Sequence, residues 1–318
     1  MTASDQTSSI AHGFVHPAYF YRGAEEYLHG TVGFIREGLA NGEPVAVSVP
    51  TGNLALIREA LGGDADAVRL LDMTVEGRNP GRIIPGVLRA FADAHPDTRV
   101  RIIGEPIWAD RSPLEYPACV QHEALINAAF AGRAVTILCP YDLDTLPARA
   151  IADAFHTHPT VIGDTGETAS GDYDPDRVVA EYNRPLPPPP ETAQTLTFDT
   201  ATVATARHAA VGYARRCGMS EQRVMDLELV VGEATTNSVL HGGGQGVLAY
   251  WVEGSQFCCQ IQDSGHITDP LAGRLPAPPR RPGGRGLLLI NQLADLVRLH
   301  TAERGTTLRI HLPLAAAA

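Results

Sequence analysis

Lysine is absent: all 25 basic residues of the 318-residue chain are arginine. That absence excludes every chemistry that needs an ammonium group. There is no Walker A lysine, no lysine for a eukaryotic-type kinase strand, no Schiff-base lysine and none to carry pyridoxal phosphate. Positive charge is short overall, 25 arginines against 36 acidic residues for a net −11. This argues against a nucleic-acid or anionic-membrane binder, whose affinity rests on neutralising phosphates. The five cysteines (Cys119, Cys139, Cys217, Cys258, Cys259) are odd in number and lack CxxC spacing, so reduced core thiols in a cytoplasmic protein are expected. No apolar run approaches the roughly 18 residues that cross a bilayer. Residues 1–12 show neither the basic cluster nor the apolar stretch of a secretory signal.

What is present suffices for packed cores, since 44% of residues are hydrophobic. At roughly 150 residues per domain, the length points to two domains. After a disordered segment 1–10, residues 11–162 alternate helix-like and strand-like stretches. Ala24 to Leu39 has apolar residues at helical spacing and stops at Asn41-Gly42. Pro44 to Pro50, Arg99 to Gly104 and Ala134 to Cys139 read as buried strands. Leu54 to Leu61, with Asn53 as N-cap, and Ala118 to Ala131 read as helices. Such alternation predicts a mainly parallel sheet covered on both faces. Residues 163–193 turn to Gly, Asp, Thr and Ser and end in the run Pro185 to Pro190, which reads as a semi-rigid spacer.

A second domain is expected over 194–314, followed by a short tail, 315–318. Ala204 to Gly218 is a helix; Ser220 caps the next, which runs to His241 and stops at Gly242-Gly243-Gly244. Gly246 to Glu253 and Gln256 to Asp263 form an antiparallel pair around Gly254-Ser255. In the second strand Phe257, Cys259 and Ile261 alternate with Cys258, Gln260 and Gln262. A helix from about Leu287 to Leu296 and a hairpin, Val297 to Thr301 and Thr306 to Leu312, complete the domain.

On the helix before the glycine run, Glu233, Asn237 and His241 are spaced four apart, so they stack along one stripe. The facing stripe, Val224, Leu227, Val231 and Ala234, is apolar. A carboxamide oxygen can ligate Mg²⁺, and a carboxylate can take a proton from an attacking hydroxyl. Alone, the stripe reads as a solvated helix face. Asp263-Ser264-Gly265 places an acid where a strand ends, and by itself reads as a β-turn. Gly283-Gly284-Arg285-Gly286 precedes a helix, where backbone N–H groups can face phosphate oxygens. The three in this order are more specific than any one.

Together these segments resemble the GHKL (HATPase) superfamily, in the form closest to the anti-sigma-factor serine kinases of the Rsb type. Glu233 to Gly242 resembles the N box, Asp263-Ser264-Gly265 the G1 box, Gly284-Arg285-Gly286 the G2 box, and Gly305-Thr306-Thr307 the terminal threonine segment. The resemblance implies a Bergerat α/β sandwich with an antiparallel-rich sheet, binding ATP and Mg²⁺ beneath a lid. It implies Glu233 as general base toward a partner's serine and Asn237 as the Mg²⁺ ligand, with His241 close by. It implies Asp263 as acceptor of the adenine amino group, with Gly265 making room for the base. Gly284 and Gly286 would admit the phosphates, Arg281 or Arg285 would meet γ-phosphate charge, and Thr306 or Thr307 would support the adenine end. Two departures stand out: Ile267 replaces the usual second glycine of the G1 box, and the lid, Leu271 to Pro282, is rich in proline. A sensor histidine kinase needs a phosphoacceptor histidine followed by an acid. His208 is followed by Ala209-Ala210, so that reading is disfavoured.

In the first half, Gly104-Glu105-Pro106-Ile107-Trp108, Gln121-His122-Glu123, Cys139-Pro140-Tyr141-Asp142 and His158-Pro159 resemble the MEDS sensory domain. That implies a RecA/KaiC-like fold without a working P-loop, which agrees with the missing lysine. Ligands of open parallel sheets sit at strand ends. Glu105, Trp108, Glu123, Cys139, Tyr141 and Asp142 are therefore candidates to line a sensory pocket for an unknown ligand, or else core packing and caps. A metal set of His16, Cys139, His156 and His158 is conceivable but lacks recognisable spacing. The expectation is a cytoplasmic regulator that binds a sigma factor and phosphorylates a STAS-type antagonist. An ATP-binding module without turnover, and a kinase acting in trans on a histidine phosphotransfer protein, are the alternatives. A homodimer is the default assembly.

Overall fold

The structure, a computed structural model, describes residues 13–276 and 284–315; the expected disordered segment 1–10, Arg281 and tail residues 316–318 lie outside them. The chain divides into two compact units, Met1–Tyr182 and Asn183–Ala318.

The first unit is built on a seven-stranded sheet of order β3-β2-β4-β5-β1-β6-β7. Its strands are β1 (Pro17–Tyr21), β2 (Val45–Val49), β3 (Val68–Asp72), β4 (Val100–Gly104), β5 (Val135–Asp142), β6 (Thr160–Gly163) and β7 (Gly166–Ala169). Every neighbouring pair is parallel except β6–β7. All five residues of β2, VAVSV, are buried, as the β-branched run of a sheet covered on both faces requires. The covering helices are α1 (Gly23–Ala40), α2 (Thr51–Leu61), α3 (Tyr116–Ala129), α4 (Ala148–Thr157) and α5 (Pro175–Tyr182). In α1 the residues Tyr27, Thr31, Val32 and Ile35 make the buried stripe. Only Arg22 separates β1 from α1, too short a connection to wrap a phosphate chain.

Two expectations change here. Asn53 does not cap α2: the helix starts at Thr51, with Pro50 at its N-cap and no side-chain cap. Proline presets the entry angle, so the chain turns into the helix directly off the strand. Part of the stretch read as a spacer is also structured. β7 pairs antiparallel with β6, and α5 buries Val178 and Tyr182. Those two apolar residues lie one turn apart, a signal too short to stand out from the surrounding Gly and Asp.

The second unit is a five-stranded antiparallel sheet of order β11-β12-β10-β9-β8. The strands are β8 (Gln194–Asp199), β9 (Gln245–Glu253), β10 (Gln256–Asp263), β11 (Leu296–Ala302) and β12 (Gly305–Pro313). Three helices, α6 (Val203–Arg216), α7 (Glu221–His241) and α8 (Gly286–Leu293), complete the unit. The core joins Ala210, Val224, Leu227 and Val231 of the helices to Leu248, Phe257, Cys259, Ile261 and Ile310 of the sheet. Ser220 caps α7 by accepting from the Arg223 N–H. The opposite sheet face is covered too. Cys258 is buried with Ala249 and Trp251, and Arg309 lies over the Trp251 ring while donating to Gln260 and to the Pro187 carbonyl. Helix α8 ends at Leu293 rather than near Leu296, because the Asp295 N–H already donates to the His311 carbonyl of the sheet. Among the described residues no helix is long and apolar enough to cross a membrane.

Candidate functional site

The C-terminal unit holds a cavity of about 560 Å³. Helix α7 supplies Asn237, Ser238 and His241 to its wall, the end of β10 supplies Asp263, and the following turn supplies Gly265 and Ile267. Gly284, Gly286 and Thr306 line it as well, and Leu271, Ala272, Gly273, Leu275 and Pro276 contribute from the described part of the lid. Glycine is required where these segments meet. A Cβ at Gly286 would stand 2.7 Å from Glu233 Oε2 and 2.8 Å from Asn237 Nδ2. The N-terminus of α8 can therefore reach the acid–amide pair only without a side chain. A Cβ at Gly265 would meet the His241 carbonyl at 2.7 Å, and one at Gly242 would meet Asp263 Cγ at 2.4 Å. Gly284, at φ +79°, adopts a backbone that side chains rarely tolerate.

The floor of the cavity is held by a small polar network. Ser238 Oγ donates to Asp263 Oδ2 at 2.6 Å, and the Gly265 N–H donates to Oδ1 at 2.9 Å. The carboxylate is thus fixed in orientation while its remaining lone pairs stay available. Thr306 Oγ1 donates to the Gly265 carbonyl at 2.8 Å and contacts Thr301 Oγ1 at 2.9 Å. Thr301 Oγ1 in turn accepts from the Ile267 N–H. Where a second glycine is usual, this chain ties Ile267 down through a threonine. In the described part of the lid, Asn291 Nδ2 donates to the Gly273 carbonyl at 3.0 Å, and a Cβ at Gly273 would stand 2.5 Å from Leu287 Cβ.

Of the residues singled out from sequence, Asn237, His241, Asp263, Gly265, Gly284, Gly286 and Thr306 all line this cavity. Glu233 reaches its margin through Gly286. Among the described residues Arg285 and Thr307 do not line it. Arg285 is an exposed N-cap of α8. Thr307 is paired with Gln262 and His300, and strand alternation turns it to the face opposite Thr306. Sequence reasoning missed Ser238 and Thr301; a hydroxyl at i+1 from Asn237 carries no motif signal of its own.

In the N-terminal unit the six candidate pocket residues separate into two places. Glu105, Trp108 and Asp142 line a cleft of about 260 Å³ at the strand ends, together with Tyr21, Asn53 and Thr145. Asn53 Nδ2 donates to both Glu105 carboxylate oxygens at 2.9 Å, and Tyr27 Oη donates at 3.1 Å. Burial pushes the Glu105 carboxyl up to about 8 against those bonds, with the Asp142 charge adding to the rise. Arg111 stacks on the Trp108 ring, 3.9 Å from its centroid. Glu123, Cys139 and Tyr141 are instead fully buried and line no part of this cleft. Glu123 and Cys139 meet His16 and His158. His156, included in the conceived metal set, lies elsewhere. It faces outward on α4, where its ring contacts the Asp172 carbonyl and Arg177; Glu123 takes its place.

Residues 15–159 match the MEDS family, the MEthanogen/methylotroph, DcmR Sensory domain, and residues 196–312 match the histidine kinase-like ATPase domain. Among curated proteins the chain is similar to the serine-protein kinase RsbW of Listeria monocytogenes serotype 4a. The two are 31% identical over 115 residues, 32% of this chain and 73% of that protein. RsbW of Halalkalibacterium halodurans is 30% identical over 123 residues, 35% of this chain and 76% of that one. Among solved structures it is similar to the RsbU and RsbW domains of Rv1364c from Mycobacterium tuberculosis. That match has 18% identity and a TM-score of 0.29, over 41% of this chain and 35% of the other.

Proposed function

The chain belongs to the RsbW family of serine-protein kinases, and from that premise we propose that its C-terminal unit binds Mg-ATP, holds a sigma factor, and phosphorylates a serine of a STAS-type antagonist. The observation that carries this reading is the convergence of Glu233 and Asn237 on Gly286, at the rim of a cavity that ends at Asp263. The donor set fits the ligand: a hard amide oxygen for magnesium, a glycine-lined approach for phosphate oxygens and a fixed carboxylate for an amino group. Asn237 would hold Mg²⁺, which when bound screens the charge on the phosphates. Gly284 and Gly286 would admit the triphosphate, and Asp263 would receive the adenine amino group. Glu233 would take the proton from the serine hydroxyl as its oxygen bonds to the γ-phosphorus and the bond to the β-phosphate oxygen breaks, leaving ADP. The N-terminal unit, read as a RecA/KaiC-like domain, would sense an unidentified ligand in the cleft at Glu105, Trp108 and Asp142. The regulator would act in the cytoplasm.

Incubation of the full chain with [γ-³²P]ATP and a candidate antagonist tests this. Acid-stable label on the antagonist, lost in Glu233→Ala, is the expected result. A second reading, a nucleotide-binding module without turnover, is favoured by Ile267 in the G1 turn. It predicts Mg-ATP binding with no label on any partner. Acid-labile label would point instead to transfer onto a histidine.

A further inference from the structure

Four side chains of the N-terminal unit, from four different elements, point at one another where no ligand is assigned. His16 precedes β1, Glu123 lies on α3, Cys139 lies on β5, and His158 follows α4. All four are 0–1% exposed. Glu123 Oε2 lies 3.4 Å from His16 Nε2, 3.5 Å from His158 Nε2 and 3.5 Å from Cys139 Sγ, and His16 Nε2 lies 3.3 Å from Cys139 Sγ. The four ligand atoms all fall within 4.8 Å of one another.

The outer hydrogen bonds decide where the ring protons are. Asn127 Nδ2 donates to the Thr157 carbonyl at 2.8 Å and to the Ala124 carbonyl at 3.1 Å, which fixes its amide. Asn127 Oδ1 must then accept from His16 Nδ1, 3.1 Å away. His158 Nδ1 faces the Ala154 carbonyl at 3.0 Å, which can only accept, and Thr157 Oγ1 at 3.0 Å, whose own proton goes to the Asp153 carbonyl at 2.9 Å. Both rings therefore spend their N–H outward and turn an Nε2 lone pair inward, toward a carboxylate. Among the described residues neither His158 Nε2 nor Glu123 Oε1 has a hydrogen-bond partner. The Cys139 thiol has one proton to give, to Glu123 Oε2 or to His16 Nε2; the lone pairs and carboxylate charge it leaves unmatched face each other in a dry interior, a repulsion that a cation among them relieves.

We propose that His16, Glu123, Cys139 and His158 form a closed binding site for a divalent transition-metal ion, with zinc the best match. Ligand atoms held about 2.0–2.3 Å from zinc at tetrahedral angles stand roughly 3.3–3.6 Å apart, and the four measured separations of 3.3–3.5 Å fall in that interval. Nitrogen, sulfur and oxygen donors in this ratio suit zinc rather than magnesium or calcium. Cys139 binds as thiolate, its proton leaving to solvent. With four protein ligands the shell has no open position, so the ion is structural and clamps α3 and the α4–β6 junction onto the centre of the sheet. Asn127 is a positioning residue that sets the His16 tautomer.

The test uses the full-length protein, purified without a metal-affinity step. Elemental analysis should find one zinc per chain, and cobalt substitution should give tetrahedral d–d bands with a thiolate-to-cobalt charge-transfer band. Cys139→Ser should remove the charge-transfer band. Asn127→Ala should weaken zinc roughly 10–100-fold, and Cys258→Ser in the other unit should leave both readouts unchanged. Folded wild-type protein that neither retains nor takes up zinc or cobalt would overturn the proposal, as would a cobalt spectrum without the thiolate band. The wild-type spectrum decides the matter even if a variant fails to fold.

Discussion

The antiparallel unit turns an acid and an amide side chain toward an open cavity, whereas the parallel unit turns two histidines, one cysteine and one glutamate toward each other. The difference lies in the backbone around them. Gly242, Gly265, Gly284 and Gly286 bring chain segments so close together around the C-terminal cavity that an added Cβ would collide or the φ angle would forbid it. A site built this way can admit and release a ligand, because turns and a helix end form part of its wall beside the side chains of α7. The His16–Glu123–Cys139–His158 cluster has rigid elements on every side and no exposed atom to spare. Such a site can hold an ion; it cannot exchange a substrate.

Four changes sharpen or break that contrast. The largest effect is expected from Glu233→Gln, which should slow phosphoryl transfer to the antagonist by roughly 10²–10⁴-fold, the size of a general-base contribution, with Mg-ATP affinity unchanged. Equal loss of binding and turnover would make Glu233 a ligand contact instead. Leu227→Ala, at a fully buried position of α7, should cost the C-terminal unit roughly 2–5 kcal/mol in urea unfolding. A loss below about 1 kcal/mol would contradict the packing of α7 on the sheet.

The third change is pH. The folded Glu105 carboxyl lies at about 8 against an ordinary 4.5. The unfolded chain therefore gives up its proton first, and the stability from this group is full below 4.5 and falls as pH rises toward 8. The slope should not exceed about 1.4 kcal/mol per pH unit. Glu105→Gln should flatten it; an unchanged slope in the variant would assign the effect to another group. The smallest contrast is between two neighbours. Thr306→Val removes the bond to the Gly265 carbonyl and should weaken Mg-ATP by roughly 5–10-fold, about 1 kcal/mol. Thr307→Val should change nothing, and equal effects would disprove the assigned strand facing.

Legibility from sequence followed the same divide. The C-terminal cavity is lined by short contiguous segments, so Glu233, Asn237, Asp263 and Gly286 stood out through their order along the chain and the family resemblance it carries. Strand β10 was legible from period-2 alternation, and the hairpins from Gly254-Ser255 and Glu303-Arg304-Gly305, whereas β8 was not read from the sequence. Ser238 and Thr301 were not, because a hydroxyl that links one element to another leaves no local pattern. The buried cluster draws single residues from positions 16 to 158, and only the parallel crossovers bring them together. Residue type suggested His156 where the fold supplies Glu123. Helix α5 was hidden for a different reason: its two buried residues are a stripe of one turn inside a polar stretch.

Isothermal titration of the full chain with Mg-ATP, beside Asn237→Ala, tests the central claim most directly. Saturable uptake of one nucleotide per chain by the wild type, abolished in Asn237→Ala while the variant keeps the wild-type unfolding midpoint, is the predicted result. Equal uptake by both proteins, or none by folded wild type, would contradict it.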